Sequence, residues 1–533
     1  MLLPITTGVF LLALLDAVTA DNCCSRLANA YPSKLYYPYQ QGYKTANGNG
    51  IIPNLGFLLQ SNYPYWSTQG IADPACVFTA KTVSDVSNAV KILHDNRCQY
   101  AIRSGGHNPI PEWSNTNGGV LLSTSDIKDV TYDLGASTVK FGAGCKWGDI
   151  YDVLDPIDMG TMGGRDNTVG TGGFLLGGGI SYYSNSRGWS ADHITAFDVV
   201  YANGTTGTIT AQSYPDLFTA MKGAGSSFAI VTHFTQEMLP QATYNAGFVF
   251  YPGSSIPRVI STVYNYSTVE VFTDLKSHVI PAFTSIGPDV DLNALGLLGL
   301  GINADVTDLG AFCFFYPTAL GLGEADVFKP FTKQIPFLAT TKRDRNGINS
   351  ISAEIAGYSG PGKRQSFTDM VVVLDDPTIL QALFDKYQTV TQPYRLLIAG
   401  YISSFIFYPL HSNFVAQGMA NGKKNSMGLE DSPAGQAGKT IMIVSINLSW
   451  QLKAHDALAA ECVGKAFAAL QSLAESRGLY HPFKYMNYAN GTQDVLAGYG
   501  TASVARLQQV KAAVDPMNDF GTLVKGRYKI PGI

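Results

Sequence analysis

Arg103-Ser104-Gly105-Gly106-His107-Asn108 packs the most chemistry into the fewest residues of this chain. Two successive glycines let the backbone turn sharply and bring amide N–H groups close to something bulky and anionic. Arg103 offers a planar cationic fork suited to phosphate oxygens. His107 stands at the lip of the turn, where its imidazole can act as ligand, base or nucleophile. Taken singly, a Gly-Gly-His is a tight turn with a surface histidine. A second glycine run, from Gly163 to Gly179, shifts that balance because it is too long for one hairpin. It holds Thr168, Val169, Gly170, Gly172 and Gly173 at its centre. A backbone bare over such a length suits close approach to a large flat ligand.

Near the C-terminus, Lys484-Tyr485-Met486-Asn487-Tyr488 gathers two phenols around an amide. A phenol whose neighbours favour its ionised form can accept a proton. Most single tyrosines are core residues with a satisfied hydroxyl, so the pair matters more than either member. Tyr182 and Tyr183, just past the glycine run, are further candidates, as are the acids Glu354 and Asp369. Competing chemistries lack their signatures. No Gly-x-Gly-x-x-Gly follows a strand, so a nicotinamide fold is not indicated. Gly438-Lys439-Thr440 has Pro433 where a phosphate loop needs its first glycine. No cysteine or histidine pair has zinc-ligand spacing, so no metal is expected.

The elements around these residues follow from periodicity. Thr82 to Asn96 predicts an amphipathic helix, with Val83, Val86, Ala89, Val90 and Leu93 on one face. It leads into an apolar strand, Tyr100-Ala101-Ile102, that delivers the first glycine turn. Gly119 to Leu122 and Thr138 to Phe141 read as further strands. Val139 to Tyr151 reads as strand, glycine turn and helix start, and Ser190 to Gly204 as a strand closed by an Asn-Gly hairpin turn. Residues 21 to 63 read as an irregular arm rich in Tyr, Asn, Gly and Gln. From about Thr243 the glycine clusters stop and strands alternate with helices. Asp369 to Leu374 is one strand. Val444 to Leu452 is another, alternating apolar at even and polar at odd numbers, which predicts one core face and one wet face. Ala454 to Glu475 predicts an alanine-rich helix.

In order and spacing, these stretches resemble the vanillyl-alcohol oxidase superfamily, and within it the fungal berberine bridge enzyme-like branch. The resemblance runs from about Pro64 to the C-terminus. It implies an α+β fold: a two-part FAD-binding domain of the PCMH type at 64–242, then an α+β substrate domain with a large antiparallel sheet at 243–480. A C-terminal segment, 481–533, returns to the first domain. It further implies that the first glycine turn holds the FAD pyrophosphate and that His107 is bonded covalently to the flavin 8α-methyl. Backbone near Ile230 and Val231 contacts the cofactor, with Ala229 where the family usually has glycine. Asp166 stands where many relatives have a cysteine bonded to flavin C6, so one covalent link is expected. Val169 falls at the position that gates oxygen, and a valine there goes with oxidase behaviour. Tyr485, Asn487 and Tyr488 match a signature beside the flavin ring. In the family reaction, substrate loses a hydride to the flavin while a base takes a proton, and oxygen returns the flavin with release of peroxide.

Composition frames this reading. At 533 residues, 46% hydrophobic and 14% charged, the chain is globular and large enough for more than one core. A net charge of −4 gives no reason to expect nucleic acid or an anionic membrane. Met1 to Ala20 reads as a secretory leader, its apolar run too short to span a bilayer. Sequons begin at Asn203, Asn265, Asn447 and Asn490; Asn447, on the polar face of its strand, can carry glycan or face substrate, but hardly both. Seven cysteines in an oxidising compartment allow disulfides, and Cys23 and Cys24 are expected to pair with Cys76 and Cys98, pinning the arm to the flavin domain. The expectation is a secreted FAD-linked oxidase acting on a small alcohol or amine of secondary metabolism, with O2 as acceptor. The alternatives are an oligosaccharide oxidase on the same scaffold, and a flavin-holding cyclase or binding protein with vestigial redox activity.

Overall fold

The computed structural model describes residues 22–47, 64–241, 243–293, 295–302, 307–319, 321–526 and 528–533. The expected leader, residues 48–63 of the arm, and Arg527 lie outside them. The first sheet has the order β1-β2-β4-β3, with β1 (Leu35–Tyr36), β2 (Cys76–Thr79), β3 (Tyr100–Arg103) and β4 (Val120–Ser123). β4 runs parallel to both β2 and β3, so β2 and β3 need a crossover, and the helix Val83–Asp95 supplies it. Thr82 caps that helix through a capping box with Asp85. Val86, Ala89, Val90 and Leu93 are fully buried against the sheet, each large aliphatic contributing about 1.5–3 kcal/mol of burial.

The second sheet is antiparallel. It comprises β5 (Val130–Asp133), β6 (Thr138–Gly142), β7 (Met159–Thr161), β8 (Ile194–Val200), β9 (Thr206–Ile209) and β10 (Ile230–Pro240). The long β10 pairs with β6, β7 and β8 and ties the sheet together. Nine strands make the third sheet: β11 (Tyr244–Pro252), β12 (His278–Ile286), β13 (Asp308–Pro317), β14 (Ala339–Thr340), β15 (Arg343–Arg345), β16 (Arg364–Val373), β17 (Ile402–His411), β18 (Thr440–Trp450) and β19 (Tyr480–His481). All its pairings are antiparallel. The α+β class and the large antiparallel sheet expected from sequence are both present.

Two faces of this large sheet bury two different cores. Even-numbered residues of β18, from Met442 to Trp450, pack with the helices Ile256–Asn265, Ile379–Thr391 and Asp456–Ser476. Ile441 and Ile443 face the other way, into the core shared with the second sheet. The odd face of β18 is therefore not wet, as alternation suggested. Ser445 is buried, and Asn447 lines a cavity between the sheets. Period-two alternation separates two faces but cannot tell a second layer of protein from water.

The arm is more ordered than its composition suggested. Residues 22–30 are helical, β1 follows, and Gln41–Asn47 forms a second helix. Disulfides Cys23–Cys98 and Cys24–Cys76 pin it to the first sheet, while Cys145, Cys313 and Cys462 are free and buried. At the other end, Lys525 N donates to Tyr100 O (2.8 Å) and Tyr100 N to Leu523 O (3.0 Å), so the C-terminus returns to the edge of β3.

Candidate active site

β3 ends where the first glycine bend begins, and that bend touches the second. A Cβ placed on Gly105 would lie 2.4 Å from Gly170 Cα, and one on Gly170 would lie 2.6 Å from Gly105 Cα. Only glycine at both positions permits that approach. Gly106 adds a positive φ of 67°, with Pro64 O occupying the space a Cβ would need. Ser104 Oγ donates to Ala143 O (2.5 Å) and sits against Gly172. Trp147 N donates to Val169 O (3.0 Å) and Thr171 N to Cys145 O (2.9 Å), which draws the third motif stretch into the same knot.

A cavity of about 470 Å³ opens over this knot. From the first bend it is lined by Ser104, Gly105, Gly106, His107 and Asn108. From the second come Val169, Gly170, Gly172 and Gly173. Ile230 and Val231, at the start of β10, form its floor, and Tyr485, Asn487 and Tyr488 one wall. Two predicted residues stand apart. Thr168 is not in the lining; its N and Oγ1 donate to Asp166 Oδ1 (2.8 and 2.6 Å). Arg103 also lies outside the lining. It donates to Ala46 O (2.6 Å) and Ser123 Oγ (2.9 Å), lies over the Tyr65 ring at 5.1 Å, and borders a second groove that meets the cavity at Ser104 and Gly105. Its fork pins the arm to β4 with two of its five N–H groups.

His107 stacks on Trp66 with centroids 4.6 Å apart and planes 11° apart. Trp66 stacks in turn on Phe367, and Phe367 on Tyr488, so a ladder of rings runs along the cavity from the imidazole to the phenol. His107 Nε2 is buried without a hydrogen-bond partner. Burial lowers the imidazole pKa to about 4 against the opposing charge of Asp166, which leaves the ring neutral and nucleophilic at physiological pH.

The two tyrosines of the tail differ. Tyr485 is buried, stacks on Trp189 and accepts from Asn487 Nδ2 (2.9 Å). Burial pushes its phenol well above the ordinary range, so it holds its proton. Tyr488 is half-buried, and its hydroxyl accepts a hydrogen bond from the Arg165 guanidinium. A guanidinium accepts none in return, so the Tyr488 O–H is left to point elsewhere. Asn487 Nδ2 also donates to Phe174 O (3.0 Å), locking the tail onto the second bend. Asp369 lies behind this wall and outside the lining, accepting from Tyr485 N (2.8 Å). Glu354 is paired with Arg345. Tyr182 and Tyr183 donate or bond to Arg165 O and Tyr244 and do not line the cavity. Arg165, Trp66 and Phe367 are the site residues that motif reading passed over. A lone cation inside a glycine run was the one available signal.

The geometry fits a flavin dinucleotide: bare backbone where Gly105 meets Gly170, open space at the Cβ position of Gly173, and an unpartnered imidazole nitrogen at the rim. Residues 74–210 match the model of an FAD binding domain. Over 497 residues the chain is 31% identical to the FAD-dependent monooxygenase FUP4 of Fusarium proliferatum, covering 90% of this chain and 89% of that protein. The chain belongs to the family of FAD-binding oxidoreductases that includes this monooxygenase. Solved structures agree on the fold of this oxidoreductase. 6-Hydroxy-D-nicotine oxidase of Arthrobacter nicotinovorans superposes with a TM-score of 0.69 at 19% identity, covering 94% of this chain and 98% of that one. Glucooligosaccharide oxidase of Acremonium strictum, described with a 6-S-cysteinyl, 8α-N1-histidyl FAD, gives 0.69 at 16% identity, covering 97% and 100%. For this FAD-dependent oxidoreductase, the residues available to hold a dinucleotide are those of the joined bends that line the cavity. Among the described residues, no helix is long and apolar enough to cross a membrane, and no cluster of His, Cys, Asp or Glu could hold a metal.

Proposed function

We propose that this oxidoreductase is a secreted oxidase that dehydrogenates a small, mostly apolar alcohol or amine and passes the electrons to O2. The observation that carries this reading is the roof of the cavity. The large sheet and the helix Asn349–Tyr358 present Ile280, Ile355, Phe367 and Ile406. The polar side chains from that side are Asn447 and Ser359, and Ser359 Oγ already donates to Asp166 Oδ2 (2.8 Å). An oligosaccharide presents hydroxyls on every ring and needs many matched donors and acceptors. This roof suits a hydrocarbon or aromatic skeleton instead.

FAD, when bound, supplies the two-electron acceptor and the route to oxygen. The chain supplies the rest. His107 would hold the flavin through a single covalent bond, because Asp166, its oxygens engaged by Thr168 and Ser359, stands where the resemblance places a second, cysteinyl attachment. Tyr488 Oη, fixed by the bond from Arg165, handles the substrate proton: the phenol gives its own proton to solvent before it takes one from substrate. The two cystines and the exposed sequon residues Asn203 and Asn265 support passage through an oxidising secretory route. Asn490 donates its amide to Thr368 Oγ1 (2.7 Å), and Asn447 lines the cavity, so neither is assigned a glycan. Peroxide release measured across a panel of aromatic alcohols, amines and oligosaccharides tests the reading. Turnover confined to the oligosaccharides would contradict it.

A further inference from the structure

Arg165 is a cation in a neutral box. Its side chain lines the cavity. It donates to Tyr488 Oη and approaches His278 Nε2 (3.3 Å). Its guanidinium lies 5.0 Å over the Tyr408 ring, and Tyr182 Oη donates to its carbonyl (3.0 Å). His278 must accept, because a guanidinium has no acceptor. Burial and the neighbouring cation hold that imidazole well below its ordinary pKa, so it carries no charge. The adjacent Asp166 also lines the cavity, but its carboxylate oxygens are taken by Thr168 and Ser359. Among the described residues no carboxylate forms an ion pair with Arg165. Other buried cations of this core differ in what they meet: Lys222, like Arg165, has no carboxylate partner among the described residues and lies over an aromatic ring, that of Phe218, whereas three others are paired. Lys342 has Glu324, Arg345 has Glu354, and Arg103 has Ala46 O. Withdrawing a charge from water without a counter-ion is unfavourable, and a structure that does so at the edge of a ligand cavity leaves the counter-ion to the ligand.

We infer that the Arg165 fork receives a planar two-oxygen anion of the substrate, a carboxylate or the enolate of a 1,3-dicarbonyl, beside Tyr488. This rests on the reading of the cavity as the substrate site and narrows the substrate to an apolar skeleton bearing one such acid group. The N–H fork of arginine matches two coplanar oxygens, which a lysine would not. The apolar roof of Ile280, Ile355 and Ile406 accepts the remainder of the molecule and keeps the ion pair dry, which strengthens it.

The test uses the flavin-loaded enzyme and its visible absorption as a binding signal. Benzoate, 1,3-cyclohexanedione at a pH where it is the enolate, and neutral benzamide are each titrated. One or both anions should bind about tenfold to a hundredfold tighter than benzamide, the range for hydrogen bonds to a charged group. Which of the two binds better identifies the acid class. Arg165→Met should erase the preference, the anions losing far more affinity than benzamide. Arg165→Lys, which keeps the charge, should retain part of it, and serves if the Met variant does not fold. Equal affinities for anions and benzamide in the wild-type enzyme would overturn the inference alone. So would a preference that survives in Arg165→Met. If none of the three compounds perturbs the bound flavin, the cavity is not the substrate site, and the underlying reading falls with it.

Discussion

Gly105 and Gly170 lie against each other backbone to backbone, 65 positions apart in sequence, with no room for a Cβ on either. That contact makes one cradle of two bends, and it separates structural glycines from those left bare for a ligand. Gly105→Ala must push the second bend away, at a cost of about 2 kcal/mol or more. Gly173 has nothing within 4 Å of its Cβ position. Melting curves and flavin content should show Gly105→Ala less stable and poor in flavin, and Gly173→Ala with wild-type melting. Equal stability of the two variants would mean the bends are not in contact.

Arg103 offers a second separation of roles. Arg103→Ala removes the bonds to Ala46 O and Ser123 Oγ and should lower the melting temperature. Flavin content should stay at one per chain. Flavin-free but folded protein would show that the guanidinium does reach the dinucleotide.

Tyr488 and Tyr485 sit in one turn but should respond unequally. Tyr488→Phe should reduce kcat about a hundredfold or more if its oxygen handles the substrate proton. Tyr485→Phe should keep kcat within an order of magnitude, since Asn487 retains its bond to Phe174 O. Steady-state kinetics of both variants decide this, and a larger loss for Tyr485→Phe would reverse the assignment.

Asp369 gives a pH-dependent stability. Burial raises its carboxyl to about 7 from an ordinary value of 3.8, against the bond from Tyr485 N. Between those values the fold keeps a proton that the unfolded chain has lost. Stability therefore falls as pH rises from about 4 to 7 and levels off above, by an amount on the order of a few kcal/mol. Asp369→Asn can still accept from Tyr485 N and has no such charge to bury. Its advantage over the wild type should grow across that window in melting curves taken from pH 4 to pH 8. Parallel curves would show that Asp369 is ionised in the fold.

What the sequence disclosed follows from how locally each feature is encoded. The helix Val83–Asp95 carries its own cap and apolar stripe, so its limits were legible within a residue or two. The bends were legible because glycine runs are rare without a reason in the backbone. The cavity roof was not. Ile280, Ile406 and Asn447 come from three strands whose alternation marks a buried or polar face and not its partner. For the same reason the polar face of β18 read as wet. The partners of Arg103 were not legible because a guanidinium one residue before a glycine turn can swing either way. Its choice depends on Ala46 of an arm brought in by cystines. The ladder from His107 through Trp66 and Phe367 to Tyr488 joins four segments, and no spacing rule connects them.

The tether at His107 bears most directly on the whole scheme. The purified protein is denatured, precipitated in acid, digested, and the peptide containing His107 examined for flavin fluorescence and mass. Expected is one FAD per chain bound to that peptide alone, retained through denaturation, and released as free FAD from His107→Ala. Because the imidazole stays neutral down to about pH 4, covalent incorporation into FAD-free protein should proceed equally well at pH 8 and pH 6. Colourless protein that takes up no FAD, or FAD attached to any other residue, would contradict it.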